Sequence, residues 1–115
     1  MKTNIIINTS FPAIHAWPDC SIEEVSFLLF PHRHIFHVVI KIPVSHDNRE
    51  VEFIKAKMDL DAFIDEMLKN QNLGKMSCEM IINYLFTKCH FYTPTPPSYI
   101  CVMEDNENGA EVYFD

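Results

Sequence analysis

The run from His32 to Val44 constrains this chain more than any other segment. β-branched and aromatic residues dominate it. Its side chains sort by parity, with His32, His34, Phe36, Val38, Ile40 and Ile42 on one face and Ile35, His37, Val39 and Lys41 on the other, as a half-buried strand requires. A strand with one continuous apolar face has to be covered by another layer of secondary structure. Residues 4 to 16 supply a second strand, in which Ile5, Ile7, Phe11, Ala13 and His15 recur at alternate positions and Asn8-Thr9-Ser10 offers a place for a bulge or bend.

The covering layer is legible downstream. Asp59 reads as an N-cap, and Leu60, Phe63, Ile64, Met67 and Leu68 follow at the i, i+3, i+4, i+7, i+8 spacing of a one-sided helix. Gly74 marks a break, after which Ser77 can cap a second helix carrying Cys78, Ile81, Ile82, Leu85, Phe86 and Cys89 along one stripe. Thr93-Pro94-Thr95-Pro96-Pro97-Ser98 is a stiff connector with few free amides. Short strands Tyr99 to Met103 and Ala110 to Phe114 flank a turn in which Asn108-Gly109 supplies residues tolerant of positive φ. Ser45 to Glu50 reads as a hairpin loop leading to a further short strand over Val51 to Met58, and Ser21-Ile22-Glu23-Glu24 as a capping-box turn that Pro31 soon interrupts.

The expected class is therefore α+β: an antiparallel four-stranded sheet with two helices on one face, as a single domain over 1–115. At 115 residues with 48% apolar composition, the chain is large enough for one core. No apolar run is long enough for a membrane span or the core of a signal peptide, which predicts a soluble, cytoplasmic protein. The net charge of -7 with nine scattered Lys and Arg residues argues against nucleic acid and for a small ligand or protein partner. Cys20, Cys78, Cys89 and Cys101 form no C-x-x-C pair, so no disulfides are expected.

Chemistry concentrates in His32-Arg33-His34, whose imidazoles project from one strand face, and in His15 at the end of Phe11-Pro12-Ala13-Ile14-His15. Three nitrogen ligands on a tetrahedral ion leave a fourth position open for a substrate, the arrangement of a working zinc site. A lone histidine reads more simply as a hydrogen-bonded core residue, and the argument rests on the three together. His37 faces away by parity, and His46 and His90 lie in polar segments, so none of these is expected as a ligand.

This order of elements, with F-x-A-x-H closing the first strand and H-x-H opening the second, resembles the tetrahydropterin synthase family, which includes the 6-pyruvoyl and 6-carboxytetrahydropterin synthases. Met58-Asp59-Leu60 is similar to the family's M-D-F helix opening, Met76-Ser77-Cys78-Glu79 to its P-T-x-E, and Ile100 to Asp105 with Ala110 to Tyr113 to its terminal hairpin. The resemblance implies a tunnelling fold, β-β-α-α-β-β, whose subunits assemble as trimers or hexamers. It also implies zinc held by His15, His32 and His34, lyase-type chemistry on a pterin or 7-deazapurine heterocycle, and Glu104 anchoring the ring. Leu28 stands where the family commonly places its catalytic Cys, and Asn70 to Lys75 carries no Asp-His pair. Cys20, Glu23 and Glu24 are the upstream candidates for a replacement base. The alternatives are a zinc-containing module that binds or sequesters a pterin-like or nucleotide-like molecule without turnover, and a metal-stabilised assembly component.

Overall fold

The computed structural model describes residues 1–114. Strands β1 (Thr3–His15) and β2 (His32–Val44) come first, then helices α1 (Phe53–Met67) and α2 (Cys78–Thr87), then strands β3 (Tyr99–Glu104) and β4 (Asn108–Tyr113). The sheet order is β1-β2-β3-β4 and every pairing is antiparallel. The expected class is present, and the order of the main elements is β-β-α-α-β-β.

Parity decides which face is covered. Ile7, Phe11 and Ala13 of β1, Phe36, Val38, Ile40 and Ile42 of β2, and Ile100 and Val102 of β3 form one buried cluster with Ala56, Leu60, Phe63 and Ile64 of α1 and Ile81, Ile82 and Leu85 of α2. Helix α1 lies over β1, and α2 over β3 and β4. Ile6, Ile14 and Ile35 project from the opposite face and are exposed. Burial of this one apolar face, at about 25 cal/mol per Å² of apolar surface, is what holds the helices to the sheet.

Several expectations need correction. Val51 to Met58 is not a strand: α1 begins at Phe53, because the Glu52 carboxylate accepts the free N–H groups of Ile54 and Lys55. Inside this segment the buried residues are Val51, Ala56 and then Leu60, while Phe53 and Ile54 are exposed, so the helical period outweighs the apparent alternation. Asp59 is consequently no cap but an interior residue paired with Lys55 at 2.7 Å, and Met58-Asp59-Leu60 does not open the helix. Ser45 to Glu50 joins β2 to α1 instead of closing a hairpin, tied by the Ser45 N–H and hydroxyl donating to Glu50 Oε1 at 2.9 and 2.6 Å.

No bulge interrupts Asn8-Thr9-Ser10, which stay in register with Val39, Val38 and His37. Their polar groups serve α1 instead: Lys57 donates to the Asn8 carbonyl at 2.7 Å, and the Thr9 hydroxyl donates to Asp61. The β3–β4 turn is made by Asp105 and Asn106, with φ of 54° and 58°, and closed by the Glu107 N–H on the Glu104 carbonyl at 3.0 Å. Gly109 sits inside β4 opposite Met103. A Cβ there would lie 2.0 Å from the Val102 carbonyl oxygen, so glycine is needed for close approach and not for a turn.

Segment Glu23–Leu29 forms short 3-10 turns broken at Val25, and no side chain caps them. The second helix does begin as expected, with Ser77 accepting the Met80 N–H at 3.1 Å. All four cysteines are free. Among the described residues no helix is long and apolar enough to cross a membrane.

Candidate metal centre and its cavity

The antiparallel register sets the site. His15, the last residue of β1, lies directly opposite His32, the first of β2, and Ala13 lies opposite His34. Cross-strand partners share a face, so His15, His32 and His34 converge, with ring centroids 4.6, 5.2 and 4.8 Å apart. Phe36, two residues further along the same face, packs its ring beneath His15 and His34 at 5.3 and 5.8 Å.

Each imidazole is oriented through its Nδ1. His15 Nδ1 lies 2.7 Å from the Met76 carbonyl, His32 Nδ1 2.8 Å from the Phe30 carbonyl, and His34 Nδ1 2.6 Å from Asp105 Oδ2. Carbonyls and carboxylates only accept, so all three Nδ1 atoms carry the proton and donate it. In the neutral imidazole each Nε2 then keeps its lone pair, and all three Nε2 atoms are buried without a hydrogen-bond partner. Buried nitrogens in that state are costly unless something electron-poor sits among them. Outer hydrogen bonds that fix the tautomer and aim the free nitrogen inward are the usual support of metal-binding histidines. The three residues could therefore hold a metal ion, with one ligand atom from each lying within 4.8 Å of the others.

Glu104 enters from β3. It pairs with Phe36 in register, and its carboxylate faces the histidines, with Oε2 at 3.1 Å from His15 Nε2 and Oε1 at 3.7 Å from His34 Nε2. Neighbouring Asp105 accepts the Ile35 N–H at 2.9 Å as well as the His34 ring proton. These two bonds, the backbone one first, hold its carboxyl below the ordinary range and keep it an anion.

A cavity of about 510 Å³ opens above this cluster, walled by His15, Trp17, Leu28, His32, Cys78 and Glu104, with Lys75 and Glu79 at the α2 side. The Leu28 carbonyl accepts the Trp17 N–H at 2.7 Å, which draws the 18–27 excursion back to the site and sets the Leu28 side chain into the wall. Cys78 is the thiol that does reach the cavity, but burial, with added repulsion from Glu104 and Glu79, pushes it up to about 12. It stays protonated and is no ready nucleophile.

Cys20, Glu23 and Glu24 do not line the cavity. Cys20 Sγ donates to the Ile22 and Val25 carbonyls at 3.7 Å, and both glutamates are exposed in the first turn of Glu23–Leu29. Sequence reasoning missed Asp105 and the role of the link between the helices. That link runs beside β1 as a short extra edge: Asn70 N–H donates to the Pro12 carbonyl, Ile14 N–H to Gln71, Leu73 N–H to Ile14 and Ala16 N–H to Gly74, at 2.7 to 3.0 Å. It thereby carries the Met76 carbonyl to His15. The one signal available for Asp105 was its place beside Glu104; nothing local marks a backbone carbonyl.

Against solved structures the chain matches 6-pyruvoyl tetrahydropterin synthase of Caenorhabditis elegans with a TM-score of 0.77 at 14% identity, covering 100% of this chain and 97% of that one. The fold is that of a tetrahydropterin synthase. An uncharacterized protein from Wolinella succinogenes matches with a TM-score of 0.68, also at 14% identity, over 100% and 99% of the two chains. No protein-family model and no curated protein sequence matches.

Proposed function

We propose that this chain is a zinc-dependent enzyme of the tetrahydropterin synthase type, with His15, His32 and His34 holding the ion and a pterin or 7-deazapurine-type ring occupying the cavity. The observation that carries the reading is the set of three buried Nε2 atoms without partners, each behind an Nδ1–H that is already donated. Imidazole ligands suit zinc, and three of them leave room for a ligand atom.

Zinc held there supplies a Lewis acid that polarises an oxygen of the ligand's side chain. Glu104 accepts ring N–H donors, as a carboxylate at the cavity wall does well. Trp17 and Leu28 keep the ring face dry, and Lys75 offers a positive charge at the α2 side for an anionic substituent. Cys20, Glu23 and Glu24 are the candidates for the base and stand on the 18–27 excursion, off the cavity wall. As part of the same reading, the protein is cytoplasmic and a homo-oligomer, trimer or hexamer, with β4 and the part of β1 before Pro12 as the outer edges available for pairing.

A second reading has its own support. Leu28 in the wall and the protonated Cys78 leave the cavity without a ready nucleophile, as expected of a module that binds a pterin-like or nucleotide-like molecule without turnover. Metal analysis followed by incubation with dihydroneopterin triphosphate separates the two: product formation supports the enzyme, and tight binding without product supports the module. One zinc per chain, lost in His32→Ala and His34→Ala, is the expected result. A folded wild-type protein that takes up no metal refutes both.

A further inference from the structure

Lys75 is the one lysine or arginine on the cavity wall, which it shares with the acidic side chains of Glu79 and Glu104. Its backbone is pinned on both sides: the Gly74 carbonyl accepts the Ala16 N–H at 2.9 Å, and the Met76 carbonyl lies 2.7 Å from His15 Nδ1. Lys75 is thus rooted beside the histidine cluster. The residue is exposed, and among the described residues nothing pairs with its ammonium, although Glu79 stands four positions on. Lys55, Lys57 and Lys69 differ, because each is paired with an aspartate, Asp59, Asp61 and Asp65 respectively. A compact point charge left unpaired at a cavity wall is suited to an anionic group of a ligand.

The two glutamates limit how much negative charge the cavity accepts. Burial keeps the Cys78 thiol protonated, and repulsion from Glu104 and Glu79 adds to it, so a second anionic group on this wall meets the same repulsion with no further cation to offset it. The net charge of -7 acts in the same sense at longer range. Volume does not make this choice, since about 510 Å³ admits a bicyclic ring with either a short or a long substituent. We infer that the cavity selects a heterocycle bearing a single carboxylate and discriminates against a polyphosphate, with Lys75 as the residue that reads the charge. This rests on the ring-binding reading above and narrows its ligand class.

A graded series of pterins tests it on metal-loaded protein: neopterin, 6-carboxypterin, neopterin monophosphate and neopterin triphosphate. Quenching of Trp17, the single tryptophan and part of the cavity wall, reports occupancy. The carboxylate is expected to bind tightest, with the triphosphate weaker by about 10-fold or more. Lys75→Gln should weaken 6-carboxypterin by about 10-fold and neopterin by less than about twofold, while Lys75→Arg stays close to wild type. Tighter binding of the monophosphate or the triphosphate than of the carboxylate overturns the assigned ligand class. An equal effect of Lys75→Gln on neopterin and 6-carboxypterin overturns the role of Lys75. Metal-loaded wild type that binds none of these pterins refutes the ring-binding reading itself. Because Lys75 is exposed and its ammonium makes no bond, both variants are expected to unfold in urea as wild type does.

Discussion

Replacing Asp105 with Asn isolates one outer hydrogen bond of the histidine cluster. The Asp105 carboxylate gives one oxygen to the Ile35 N–H at 2.9 Å and the other to the His34 Nδ1–H at 2.6 Å. An amide has one accepting oxygen and one donating NH₂, so Asp105→Asn cannot serve both. If the oxygen stays with Ile35, the NH₂ turns toward His34 Nδ1 and favours the tautomer with its proton on Nε2, which removes the lone pair that faces the cluster. If the amide flips, the Ile35 N–H meets a donor and loses its partner, at about 1–3 kcal/mol. Loss of such an orienting partner weakens metal binding by about 10- to 100-fold, ~1.4–2.7 kcal/mol. Because the Asp105 side chain is 43% exposed, water takes over part of its role and the expectation lies near the tenfold end. The turn should survive, since Asn tolerates the φ of 54° that Asp105 adopts. Zinc affinity measured by competition with a chromophoric chelator, with ¹⁵N NMR of the His34 ring as a second readout, tests this. Affinity within about twofold of wild type in a normally folded Asp105→Asn protein, with the His34 proton still on Nδ1, would refute the reasoning from tautomer to metal affinity.

Two further predictions concern the scaffold. Gly109→Ala should cost roughly 3 kcal/mol or more in urea unfolding, because its Cβ would meet the Val102 backbone. Gly74→Ala, whose Cβ meets nothing within 4 Å but whose φ is +62°, should cost only about 1–2 kcal/mol; similar losses at both sites would contradict the close approach of β3 and β4. Cys78 should be the last of the four thiols alkylated in native protein. Its ionisation is raised from 9.0 to about 12 by burial and nearby carboxylates, so its contribution to stability is complete below pH 9 and disappears as pH rises from 9 toward 12. Alkaline unfolding scans of wild type and Cys78→Ala should converge in that window, and parallel curves would show that the thiol is not held protonated by the fold.

The sequence by itself determined β1, β2, the terminal hairpin, the two amphipathic helices and the shared face of His32 and His34, while the β1–β2 register brought His15 to them. The strands, helices and shared face follow from periods of two and about 3.6 residues, which are local properties of the backbone. Where a boundary depended on a competing interaction, local reading failed: Glu52 capping moved the start of α1 to Phe53, and Asp105-Asn106 took the turn that Asn108-Gly109 had suggested. Only the tertiary structure decided what surrounds the histidines. Met76 and Asp105 are 61 and 71 residues from the rings they orient, and Glu104 comes within 3.1 Å of His15 only because β3 pairs with β2. No spacing along the chain encodes such contacts. They arise when α1 and α2 cover the sheet, the link between them lies along β1, and the tautomer of each imidazole is set by whichever acceptor the packing brings to its Nδ1.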